Sequence, residues 1–144
     1  IKVFGEGAYG LNDEEAAMWV RLVWLSGNMT LLSEIMPELR GPRAALMQRV
    51  FPPNPAPARV IDWYTQPEVH LLAAPAAPGI PARIGMFNLS DNTVPVALPA
   101  ARLGLPATWR MQEWLTGEKL HGKKTIEYQL PPHSGRVWEV ESEI

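Results

Sequence analysis

The chain has 144 residues, 47% of them hydrophobic, which suits one ordinary domain or one part of a larger protein. A formal net charge of −2 and a pI near 5.9 argue against nucleic acid as the main partner, because phosphate binding needs a basic patch. There is no cysteine, hence neither a disulfide framework nor a thiolate metal site, and no apolar run is long enough to span a bilayer. The longest such run, Ala16 to Leu25, is interrupted by Arg21. Without cysteine a cytoplasmic home is mildly favoured. The sequence starts at Ile1 with no Met and no signal-like segment, so the expectation is a piece of a larger protein whose remainder carries the chemistry.

Ile1 to Phe4 reads as a short strand. Gly5-Glu6-Gly7-Ala8-Tyr9-Gly10 then matches G-x-G-x-x-G letter by letter. As a dinucleotide fingerprint it fails: Asp13, Glu14 and Glu15 fill the first helical turn, where a pyrophosphate would sit. As a kinase loop it lacks the following lysine and the downstream H-R-D and D-F-G motifs. It is read as an ordinary connection. Asn12 offers an N-cap, and the three carboxylates suit the positive end of the helix dipole. Ala16 to Leu25 is a helix that is apolar nearly all round, which places Trp19 and Trp24 in the core. Ser26-Gly27-Asn28 ends it.

Met29 to Ser33 reads as a buried strand. Gly41-Pro42 opens a second helix, with Ala45, Leu46, Met47, Val50 and Phe51 as its apolar face. Four prolines then fall between Pro52 and Pro57, which no helix survives, and residues 53–57 read as an extended linker. Beyond it the runs become short and β-like: Arg59–Trp63, Glu68–Ala73, Arg83–Ser90, Val94–Leu98, Thr108–Trp114, Thr125–Leu130 and Arg136–Val140. Gly, Pro, Asn or Asp punctuate nearly all of them, a spacing that suggests a β-sandwich. Arg83 to Leu98 reads as one hairpin turning at Asp91-Asn92. Lys119, Lys123 and Lys124 read as a solvated hairpin tip around a glycine turn. The chain thus divides into an α/β piece, 1–52, the linker 53–57, and an all-β piece, 58–144.

Candidate chemistry is sparse. His70, His121 and His133 share no ligand spacing, so no metal and no cofactor is expected. No G-x-S-x-G elbow occurs. Asn28-Met29-Thr30 and Asn88-Leu89-Ser90 match the glycosylation pattern beside strands expected to be buried, and are read as chance. Six tryptophans are an excess. Trp63, Trp109, Trp114 and Trp138 could stack sugars if exposed, but large aromatics more often fill the space between sheets. Asp62, Asp91, Glu113 and Glu118 are the candidate carboxylates of the β piece, and no motif pairs any two of them as glycosidic cleavage requires.

In their order and spacing, five segments resemble the C-terminal end of melibiase-type α-galactosidases and their retaining glycosidase relatives. They are Leu22 to Glu34, Arg83 to Asp91, Leu103-Gly104-Leu105, Gln112 to Gly117, and Leu130-Pro131-Pro132-His133-Ser134-Gly135. Asn28, Glu34 and Glu113 depart from that pattern, standing where the family has Gly, Asp and Asp, and Trp and Leu are exchanged in the hairpin, so the sugar and the subfamily stay open. The resemblance implies a mainly β fold: an antiparallel β-sandwich preceded by a short α/β remnant of a (β/α)8 barrel. It implies that 1–52 ends the barrel, that the catalytic Asp pair lies on absent strands, and that this piece alone is inert. Ser33 and Glu34 would line the sugar pocket of the intact enzyme. The implied partner is a galactoside or related sugar held by the missing barrel, with no nucleic acid and no membrane, and with self-association left open. A non-catalytic carbohydrate-binding or structural sandwich is the alternative.

Overall fold

The computed structural model describes residues 10–27, 40–62 and 69–141. The expected strands at Ile1–Phe4 and Met29–Ser33, most of the glycine pattern, Ser33, Glu34 and Trp63 lie outside them.

Helix α1 (Asp13–Ser26) starts where the sequence places it. The Asn12 side chain accepts from the Glu15 amide at 2.9 Å, and the Glu15 carboxylate accepts from the Asn12 amide at 2.7 Å, a complete capping box. Gly27 closes the helix with φ of +64°, which a side chain would strain, and Pro57 lies so close that a Cβ there would meet it at 2.8 Å. Helix α2 (Gly41–Gln48) opens with Pro42 in its first turn. Met47 and the following Val50 are buried, but Phe51 is exposed, contrary to its expected place on the apolar face.

Among the described residues eight strands follow: β1 (Arg59–Val60), β2 (Val69–Ala74), β3 (Arg83–Asn88), β4 (Val94–Pro99), β5 (Thr108–Glu113), β6 (Lys119–Lys123), β7 (Thr125–Leu130) and β8 (Ser134–Val140). Six form an antiparallel sheet in the order β1-β2-β3-β8-β5-β6, and β4 pairs with β7 in a second, two-stranded sheet. The expected mainly β sandwich is therefore present, as two facing sheets.

Each face of the large sheet buries something different. Toward the small sheet, Leu71, Ile84, Met86, Met111 and Trp138 meet Val96, Leu98, Ile126 and Leu130. On the opposite face, Leu72, Phe87 and Val137 meet Ala16, Val20, Trp24 and Leu25 of α1 and Met47 and Val50 at α2. Strand β3 lies between both layers and is buried at every position. That explains its near-continuous apolar run, whereas β4 and β5, with one covered face, alternate. Helix α1 approaches so closely that a Cβ on Gly85 would fall 2.3 Å from Leu25 Cδ2.

Three further expectations are corrected. Arg83 to Leu98 is not a hairpin: β3 pairs with β2 and β8, while β4 pairs with β7 in the other sheet. The buried Asn88 side chain causes the departure. Its amide donates to the carbonyls of Asn92, Leu130 and Pro131, and its oxygen accepts from the Ser90 amide and hydroxyl. The chain is thereby turned from one sheet into the other. Second, Lys119–Lys123 is a strand rather than a hairpin tip. Gly122 lies in it, opposite Trp109, whose ring takes the space a side chain would need. The turn falls at Lys124, with φ of 60°. Third, Trp19 is 41% exposed instead of being core.

Candidate functional site

Among the described residues, the densest polar cluster is centred on Glu113, at the end of β5 beneath α1. Its side chain is fully buried, and so is nearly all of Arg21. Arg21 Nε donates to Glu113 Oε1 at 2.8 Å, and the Val137 amide donates to the same oxygen at 3.2 Å. Oε2 accepts from the amides of Leu115 and Thr116 and from the Thr116 hydroxyl. One carboxylate therefore fixes the β5–β6 turn, the neighbouring strand β8 and the overlying helix. Burial, the largest single influence, pushes the carboxyl's pKa up. The Arg21 charge and hydrogen bond, joined by the bonds from Thr116, outweigh it and hold the pKa below the ordinary value. Such a group stays ionised and saturated with donors, which is the chemistry of a structural anchor and not of a general acid.

Beside this cluster the Trp24 and Trp114 rings stack at 4.1 Å between centroids. The Arg83 guanidinium lies over Trp24 and that of Arg49 over Trp114, at 4.8 and 5.2 Å. Arg83 also donates to Glu139 and to the side-chain oxygen of Asn54. The Asn54 amide donates in turn to the carbonyls of Leu25 and Ala56. The buried Asn54 thus ties the proline-rich segment to the end of α1 and to β3, beside the bonds from Trp24 Nε1 to the Pro52 carbonyl and from the Ala58 amide to the Leu25 carbonyl.

The remaining candidates are scattered. Asp62 is buried near β1. Asp91 is exposed in the β3–β4 turn and pairs with His133 Nε2 at 2.7 Å. Glu118 is in the β5–β6 turn and accepts from the Tyr128 hydroxyl. His70 is on β2 and His121 on β6. Among the described residues no three His, Asp or Glu side chains are grouped to hold a metal ion. Trp109 and Trp138 lie in the core between the sheets, and Trp114 is covered by Trp24 and Arg49, so these three offer no free ring for a sugar. The sequence singled out neither Arg21 nor Glu113 as partners. The only signal was a lone arginine in an otherwise apolar helix, which has to find a buried acid somewhere.

The class these features define is a two-sheet antiparallel β-sandwich with a helical layer over the outer face of its larger sheet. No protein-family model and no curated protein matches the chain. Solved structures do. A GH27 β-L-arabinopyranosidase from Geobacillus stearothermophilus superposes with a TM-score of 0.79 at 16% identity, over 95% of this chain and 33% of that one. An α-galactosidase from Mortierella vinacea gives 0.76 at 14% identity, over 95% of this chain and 38% of its own. An α-amylase of Anoxybacillus matches less, 63% of this chain at a TM-score of 0.50 and 12% identity. The chain spans about a third of the length of the two former enzymes, and at these identities the likeness is one of fold. It agrees with the resemblance to melibiase-type enzymes carried by the sequence segments.

Proposed function

We propose that this chain is the C-terminal portion of an α-galactosidase-like retaining glycoside hydrolase. In this reading residues 1–52 close the catalytic barrel, 53–57 connect, and 58–144 form the C-terminal sandwich. The catalytic Asp pair belongs to the upstream barrel, and the sugar is held there. Ser33 and Glu34, placed by the motif at the end of the final barrel strand, line the sugar pocket, because barrel active sites sit at the C-terminal ends of strands. The observation that carries the reading is a single one. The helices and both sheets together match a third of an α-galactosidase and of an arabinopyranosidase over 95% of this chain, and the matching sequence segments run in the same order.

The test uses two proteins. The product of the complete gene is expected to hydrolyse an aryl α-galactoside with retention at the anomeric carbon, and the 144-residue chain alone to give none. In the complete protein Ser33→Ala and Glu34→Gln are expected to raise KM more than they lower kcat. Turnover by the chain alone, or a gene without an upstream barrel bearing two aspartates, would defeat the reading.

A further inference from the structure

Three of the chain's four lysines fall between residues 119 and 124. The register of β5 and β6 sets Lys123 beside Thr108, His121 beside Arg110 and Lys119 beside Gln112, and all six side chains are exposed. Among the described residues, the helical layer covers β2, β3 and β8 on this side of the sheet and leaves β6 and the 108–112 part of β5 exposed. Lys124 follows in the adjoining turn and is exposed as well.

Four cations, Arg110, Lys119, Lys123 and Lys124, therefore line one strip of a chain whose formal net charge is −2. Among the described residues, the acids nearby offset it only in part. Glu141 reaches only Lys119, at 3.8 Å. Glu139 is taken by Arg83, and Glu118 meets Tyr128. Lysines on an edge strand are a common defence against unwanted pairing. That explains β6, but not Arg110, which sits one strand inward where no edge needs protection. Arg110 instead borders a cleft of about 320 Å³, lined also by Met111, Lys119, Leu120, His121 and Glu141. That volume is at the lower end of the range for small-ligand sites.

We propose that this ribbon binds a linear acidic polysaccharide, with Arg110 taking one carboxylate in the cleft and the lysines tracking the next charges along the chain. An arginine fork suits a carboxylate, and lysines act as point charges. Single-stranded nucleic acid fits less well, since among the described residues this face carries no aromatic ring on which bases could stack. The site lies on the sandwich and does not depend on the hydrolase reading, so either can fail alone.

The experiment is affinity electrophoresis of the purified chain in gels containing polygalacturonate, neutral galactan or single-stranded DNA, at 20 and 200 mM NaCl. Retardation is expected in polygalacturonate only, weakened more than about tenfold by the higher salt because released counterions drive the binding. Arg110→Gln with Lys123→Gln is expected to weaken it at least about tenfold while leaving Tm unchanged, since both side chains are exposed. No retardation, retardation untouched by the double variant, or equal retardation by DNA would each overturn the proposal.

Discussion

Removing Arg21 tests the central anchor. Its guanidinium sits 2.8 Å from a carboxylate with no exposed side-chain surface, and is itself only 2% exposed. Arg21→Met keeps most of the volume but strands an anion under a helix. Breaking a buried pair from one side costs about 3–5 kcal/mol. At about 2–4 °C of Tm per kcal/mol for a chain of this size, that is a loss of roughly 10 °C. The pH dependence is the sharper part. In the native protein Glu113 titrates below its ordinary value of 4.5, so its contribution is fully present above that pH and is lost as pH falls through the lowered value. Without Arg21, burial is opposed only by the turn donors and the Val137 amide, and the carboxyl's pKa rises, so acid now relieves a buried charge. The stability gap between the two proteins should therefore be widest near pH 7 and narrow toward pH 4. Urea unfolding followed by tryptophan fluorescence at several pH values reads this directly. Adding Glu113→Gln to Arg21→Met should recover part of the loss, a coupling of about 0.5–3 kcal/mol. A single variant within about 1 kcal/mol of the parent at pH 7, or a gap that does not change with pH, would refute the reasoning.

Gly85→Ala should destabilise by about 1–3 kcal/mol in chemical unfolding, because the added methyl falls within 2.7 Å of both Leu25 and Phe87 and the helix has to lift. Asn88→Ala leaves three carbonyls and the Ser90 amide without their side-chain partner; a loss of about 3 kcal/mol or more is expected, and a Tm within a degree or two of the parent would show that water replaces the amide. The stacked Trp24–Trp114 pair should give an exciton couplet in far-ultraviolet circular dichroism that Trp114→Leu abolishes, while Trp19→Leu leaves it intact.

The sequence by itself determined the local elements. Asn12, three acidic residues and Gly27 mark both ends of α1, because capping and dipole preferences act within a few residues of the chain. Short alternating runs between turn residues announce an all-β second half, since the side-chain period of a strand is written into its residues. Pairing and layering were decided only in three dimensions. Residues 83–98 carry every local mark of a hairpin, yet the two strands enter different sheets, because Asn88 bonds to carbonyls more than forty residues away at Leu130 and Pro131. Gly122 looks like a turn until the Trp109 ring is seen lying over it. Helical periodicity left Trp19 and Trp24 equivalent, and only the position of the sheet separated the exposed ring from the buried one. Arg21 and Glu113 stand ninety-two positions apart, and each is an unremarkable charge in its own neighbourhood. Their meaning comes from packing a helix on a sheet. That excludes water, so the carboxylate is held by Arg21, the Thr116 hydroxyl and a handful of backbone amides.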